Sequence, residues 1–340
     1  MARLRGLLAR WELFLLVVLI ATFVYGSRFS EYFLTSSNIS IAIAGAVPAA
    51  IVALGMTLVI VTGEIDVSVG SNAGLCAASL AVAIEQGLPL EAAMLAAMAA
   101  GTLAGLFNGV MVAYAGLPSL VVTLGTLALY RGTALIMLKE RGVHSFPEWY
   151  QSLGFETIAE TPVPWSSIIF VLLFLGFAVF LHTTRWGRAL YAIGNNREAA
   201  RFSGIDVRRA ILGVFVTSGV MCSIAAIVLT AYLASARADT ATGLELPVIT
   251  AVVLGGVSIF GGSGTLVGVL LALLVLAFVQ NALGLAGVTP EAQQIVTGAV
   301  LIVTLTLFGA YGLIRTKAAA LRSLRRSDDA RGARQPTPTT

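Results

Sequence analysis

From Leu13 to Val24 the chain is apolar at every position but Thr22, and nine further predominantly apolar stretches follow it. Runs approaching 20 residues match a bilayer hydrocarbon core of about 30 Å. Inside lipid no water satisfies a backbone N–H or C=O, so only helices and closed barrels cross it. A barrel strand alternates apolar and polar residues, and these runs do not alternate. Composition agrees: of 340 residues, 58% are hydrophobic and 11% charged, against about 25% charged in soluble domains. The fold class is therefore all-α, a polytopic membrane protein.

The expected spans cover about 12–27, 40–62, 66–84, 91–114, 119–138, 165–183, 209–233, 246–260, 265–284 and 291–313, about ten transmembrane helices. The third and eighth are short and interrupted by glycine, which suits broken or re-entrant segments. Residues 1–317 read as one transmembrane domain. Residues 318–340 form a basic, then Pro/Thr-rich tail, read as disordered and cytoplasmic, with a charge that attraction to membrane lipid explains. Met1 to Ser30 resembles a signal peptide in its Arg3, Arg5 and Arg10 ahead of an apolar run. Trp11 and Glu12 suit an interfacial helix start, however, and no small-x-small cleavage site follows, so the segment is read as a retained first span.

Lys and Arg near span ends set orientation. With the N-terminus inside, the N-terminal segment, the 184–209 loop and the tail hold sixteen Lys or Arg, and outer segments hold four. Both termini are therefore expected in the cytoplasm. Trp11, Trp149, Trp165 and Trp186 fall at span ends, the aromatic-belt position. The long outer loop 139–164 is rich enough in Pro and aromatic residues to form a small cap. A weak internal echo places Asn108, Pro118 and Gly125 against Asn281, Pro290 and Gly298. The two Asn lie on spans of opposite direction, which suits an inverted repeat of the transporter kind; chance in a chain rich in Gly, Ala and Leu explains it as readily.

Several classes are disfavoured. The basic residues flank spans, so nucleic-acid binding is not expected. Cys76 and Cys222 lie in apolar segments without metal-ligand spacing and read as packing residues. No catalytic constellation, metal site or cofactor site is apparent.

Three motifs interrupt the apolar pattern. The first, Gly55 to Ser71, carries Glu64 and Asp66 between apolar runs. A mid-bilayer charge costs on the order of 2.5–3.5 kcal/mol on insertion scales, so these carboxylates face a polar cavity, protein partners or the membrane edge. Asp66 and Ser68 suit helix capping, and the same segment suits a bent junction along a solute pathway. The second motif, Leu254 to Thr265, is glycine-rich; no P-loop Lys follows, so close helix approach explains it best. The third, Arg185 to Asp206, is a long basic segment between apolar runs. Gly194, Asn195 and Asn196 read as a helix start, Glu198, Ala199 and Ala200 as helix formers, and Gly204 as a stop. A short helix along the surface, bounded at 194–204, is a docking element for a soluble partner; the bland alternative is a charged loop that only enforces topology.

Together these blocks resemble the inner-membrane permeases of bacterial ABC sugar importers, of the ribose, xylose, rhamnose or autoinducer-2 type. The resemblance runs over about residues 35–315. It is carried by Gly55 to Gly70, by Arg131-Gly132 after a Thr-Leu-Gly-Thr stretch, and by Gly187 to Ile205. Thr242-Gly243-x-Glu245-Leu246 and Ala251 to Gly256 complete it. It implies a transport subunit without catalysis of its own, a cytoplasmic ABC ATPase, a periplasmic sugar-binding protein, and a second permease copy, identical or related. It further implies that Gly194, Asn195, Asn196, Glu198, Ala199, Ala200, Arg201 and Gly204 form the segment that couples to the ATPase. Two departures stand out: no Ile-x-Leu-Pro follows Gly204, and Glu64 occupies a position where many relatives carry Gly. Asp66, Ser68, Asn72 and Asn108 are the hydrogen-bonding residues offered for the translocation pathway of a small sugar; helix–helix polar contact is the rival role for each. An ion-coupled secondary transporter is the alternative, with Glu64 and Asp66 as its protonatable pair.

Overall fold

The computed structural model describes residues 2–306 apart from 140, 145 and 160. Five helices come first: α1 (Ala2–Phe29), α2 (Ser36–Val61), α3 (Val69–Glu85), α4 (Leu90–Ala113) and α5 (Ser119–Leu138). Strand β1 (Gly142–Val143) and helix α6 (Glu148–Phe155) occupy the following loop. Then come α7 (Ser166–Thr183), α8 (Arg185–Asn195), α9 (Arg197–Phe202) and α10 (Val207–Leu233). Strand β2 (Ala236–Arg237), α11 (Glu245–Leu254) and α12 (Leu266–Leu285) follow, and a last helical run covers 290–306.

Among the described residues, seven helices are long and apolar enough to cross a membrane: α1, α2, α4, α5, α7, α10 and α12. The third expected span is α3, with 17 residues. The eighth is cut back from 246–260 to the 10 residues of α11, ending at Leu254, because Gly255 and Gly256 turn the chain out of the helix. At about 1.5 Å per residue, α11 reaches only halfway through a bilayer. The expected ten spans thus resolve into seven full-length helices, two short ones and a run that meets the limit of the described residues. The 318–340 tail lies outside them.

Helix α2 is the axis of the bundle. Every residue from Val47 to Val61 is buried except Ala49, and α2 packs on α10, α12, α11, α7 and α8. The most extensive helix–helix contact joins α4 to α10. Gly101 and Gly105 of α4 meet the backbone of Gly219 and Phe215 on α10 with no room for a Cβ, and Gly109 meets Leu212 in the same way. Small residues four apart let two helices approach to backbone contact, where van der Waals packing replaces the hydrophobic drive that lipid removes. The outward faces stay apolar, as Val17, Ile136 and Leu172 illustrate.

The loop 139–164 does fold onto one end of the bundle as a small cap. β1 pairs antiparallel with β2, Gly142 opposite Arg237; these two-residue strands are the non-helical element that hydropathy could not announce. Tyr150 of α6 is fully buried, its hydroxyl 2.7 Å from the Ile227 carbonyl and 2.6 Å from Thr230 Oγ1 of α10. Burial pushes that hydroxyl well above the ordinary tyrosine range, so it remains a donor. At the opposite end, Trp11 Nε1 donates to the Leu254 carbonyl (2.8 Å) and the Thr265 hydroxyl donates to Glu12 (2.7 Å), tying α1 to α11 and α12.

Candidate functional site

The polar segment Arg185 to Asp206 folds as two helices rather than one. Leu190 and Ile193 are buried with Gly187 on one face of α8, and that three-residue spacing holds the chain helical through Gly194 and Asn195. Both therefore close α8 instead of opening the next helix, α9. Gly194 sits in a helix because nothing larger fits: a Cβ there would strike the Val61 carbonyl and the Gly262 backbone. The Gly262 N–H donates to that same carbonyl (2.9 Å), so the glycine-rich loop 255–264 wedges between α8 and the end of α2. Tyr191 adds a bond from its hydroxyl to the Gly264 carbonyl (2.9 Å), and burial raises its pKa to about 12.

Asn196 breaks the helix in extended conformation and caps the next one, its Oδ1 accepting from the Ala199 N–H at 2.9 Å. Gly204 then takes φ +82°, the left-handed turn that ends helices. Its N–H bonds the Arg201 carbonyl, and the Ile205 N–H bonds that of Ala200. Ala200 is buried, while Glu198, Ala199 and Arg201 are exposed. Phe202 is 91% exposed. A six-residue helix thus stands on the bundle end with one small anchor and a mixed charged and aromatic outer face.

Beside it lies the loop 62–68. Ser119 Oγ accepts from the Ile65 N–H (3.1 Å), and the Thr123 hydroxyl donates to the Ile65 carbonyl (3.3 Å). Asp66 Oδ1 accepts from the Ser68 N–H (3.0 Å) and the Ser68 hydroxyl (2.6 Å); Oδ2 accepts from Ser218 (3.3 Å). Asn108 Nδ2 donates to Ser68 Oγ (2.9 Å), and the Tyr130 hydroxyl lies 3.1 Å from Asn108 Oδ1. Burying a carboxylate is costly unless donors replace its water; here three do. Asn72 stands apart, its Oδ1 accepting from the Cys76 thiol at 3.5 Å.

The structure therefore joins Asp66, Ser68 and Asn108 in one network and leaves Asn72 outside it. All four are buried, and none lines the cavity of about 480 Å³ nearby. That cavity opens between Glu64, Ser119, Leu120, Gly194, Arg197 and Phe260. The capping expectation needs correction: Ser68 stands at the N-cap of α3 but makes no side-chain cap bond, because its hydroxyl is committed to Asp66 and Asn108. Asp66 instead closes a turn onto Ser68 just ahead of the helix.

Sequence reasoning passed over Phe202 and Arg197. A lone aromatic in a charged helix was the available signal for the first. Arg197 forms an ion pair with the buried Glu64, a contact 133 residues apart in sequence that no local pattern announces. Among the described residues, no three His, Cys, Asp or Glu side chains gather as a metal site would require.

Comparison with known proteins bears directly on this arrangement. The family profile described as "Branched-chain amino acid transport system / permease component" matches residues 38–305. The autoinducer 2 import system permease protein LsrD of Photorhabdus temperata is 39% identical over 259 residues, covering 74% of this chain and 77% of the relative. LsrD of Enterobacter sp. (strain 638) is 35% identical over 299 residues, covering 86% and 91%. LsrD of Escherichia coli (strain K12) is 36% identical over the same length, covering 86% and 90%.

Proposed function

This chain belongs to the family of branched-chain amino acid transport system permease components and is an inner-membrane permease of the ABC sugar importer kind, and we propose that it forms the membrane pathway of an ATP-driven importer for a monosaccharide or similar small polyol. The observation that carries the proposal is α9. A short helix capped by Asn196, ended by Gly204 and anchored through Ala200 presents Glu198, Arg201 and Phe202 outward, as a ligand for a cleft in a soluble partner. That partner is a cytoplasmic ATPase, which supplies the hydrolysis this chain does not perform. A periplasmic binding protein delivers the solute, and a second permease copy completes the pathway. Closure of the ATPase moves α9, and the bundle opens alternately to either side.

Asp66, Ser68, Asn72 and Asn108 belong, on this reading, to the polar wall behind the pathway, enclosed in the present conformation. An inverted repeat is supported by packing: α3 lies on α4 and α10, and α11 lies on α12 and α2. Exchanging α2 with α10 and α4 with α12 maps one short helix onto the other, and it pairs the helices that carry Asn108 and Asn281.

The test is co-expression with candidate ATPases from the same organism, followed by solute uptake in ATP-loaded proteoliposomes. Replacing Glu198 and Gly204 should reduce ATPase co-purification and uptake together. If both survive the two replacements, the coupling role of α9 is wrong. Uptake driven by an ion gradient without ATP would favour the secondary transporter. Competition by pentoses and deoxyhexoses, set against leucine and isoleucine, separates the proposed solute from the one in the family's description.

A further inference from the structure

Three residues of the loop 62–68 are bonded to three different helices. Ile65 is held by Ser119 and Thr123 of α5, Asp66 by Ser218 of α10, and Ser68 by Asn108 of α4. Glu64 alone turns the other way, to Arg197 at the first position of α9. An arginine there gains nothing from the helix dipole, which favours anions at that end, so the pair with Glu64 accounts for its position. Glu64 is buried, and the Arg197 side chain is half exposed. A carboxylate so placed is strongly destabilised when its partner is removed.

The other end of α9 continues into α10 through Gly204, whose φ of +82° makes a compact turn. α9 also continues from α8 through Asn196 and is anchored by Ala200; the ion pair adds a side-chain link from α9 to the 62–68 loop, which reaches three pathway-side helices at once. We infer that the Glu64–Arg197 pair is the strut that transmits displacement of α9 to the 62–68 loop and thence to α4, α5 and α10. It makes Glu64 and Arg197 positioning residues for transport. The inference rests on α9 being the ATPase-docking helix.

The experiment uses the full importer, reconstituted with its ATPase and binding protein, and reads solute taken up per ATP hydrolysed. Glu64→Gln and Arg197→Gln should each lower that ratio by about fivefold or more, the low end of coupling between sites. ATPase co-purification should stay at the wild-type level, which a loss of docking or of fold would not allow. The double variant should be no worse than either single. A wild-type ratio in both singles, or additive losses in the double, overturns the strut. A wild-type complex that hydrolyses ATP without moving solute overturns the functional reading and the strut with it, whereas failure confined to the variants concerns the strut alone.

Discussion

Asp66 keeps a carboxylate inside an apolar bundle because Ser68 and Ser218 take the place of water. The network extends through Asn108 to Tyr130, so its members depend on one another. Asn108→Ala should cost about 1–2 kcal/mol in unfolding free energy, the scale of a buried hydrogen bond whose partner is stranded. Graded chemical denaturation in detergent measures it, and Asn108→Asp should cost more than Asn108→Ala, because it loses the donor to Ser68 and buries a second carboxylate beside Asp66. Phe202 is the opposite case. It is almost wholly exposed, so Phe202→Ser should leave the unfolding midpoint unchanged yet weaken ATPase co-purification several-fold, the behaviour of an aromatic anchor at an interface. The polar residues at 64, 66 and 68 were visible in the sequence as intruders in apolar surroundings. Their partners were not: Ser68 meets Asn108 across 40 positions of chain, and only folding brings them together.

At the level of elements, the segment 185–206 shows how far local signals reach. Its stop at Gly204 was legible, because left-handed backbone favours glycine. Its start was misplaced at Gly194, because glycine followed by two asparagines looks like a helix opening. What overrode that signal is the buried face of Leu190 and Ile193, which keeps α8 helical to Asn195 and passes the cap to Asn196. Asn196→Ala should destabilise α9 by about 1 kcal/mol, seen as faster hydrogen exchange at the Ala199 amide with exchange in α2 unchanged. The α4–α10 crossing gives a stronger expectation. Gly105→Leu would push a side chain into the Phe215 carbonyl and Gly219, and overpacking of that kind costs about 1–3 kcal/mol or more. A lowered unfolding midpoint with reduced yield in the membrane is the measurement. The spacing Gly101, Gly105, Gly109 was there to be read and names the face of α4, though not the helix it meets.

For the whole molecule, the proposed topology puts α9 on the cytoplasmic side and the α6 cap on the opposite one. Single cysteines placed at Trp149 and at Phe202, both exposed, should therefore label from opposite faces in intact cells with a membrane-impermeant maleimide. Labelling of both from one side overturns the topology. The cap is bound to α10 through buried Tyr150 and to β2 through backbone pairing, so it moves with α10. The strut joins that helix to α9 from the other end. One long helix is thereby connected to both surfaces, the geometry a transporter needs if an event at one face is to change access at the other.

The sequence by itself determined that the chain is a helical membrane protein, the approximate place of its seven long apolar helices, and the polar segment that interrupts them at 185–206. Those features are set by hydrophobicity along the chain, charge at span ends and local turn chemistry, all of which act within a few residues. Only the tertiary structure decided that Asn108 bonds Ser68, that Ser68 makes no cap bond to α3, and that Glu64 reaches Arg197. Each of these depends on which backbone or side chain arrives from far along the chain to fill a hydrogen bond or a space. No local pattern encodes that, because the partner is chosen by packing.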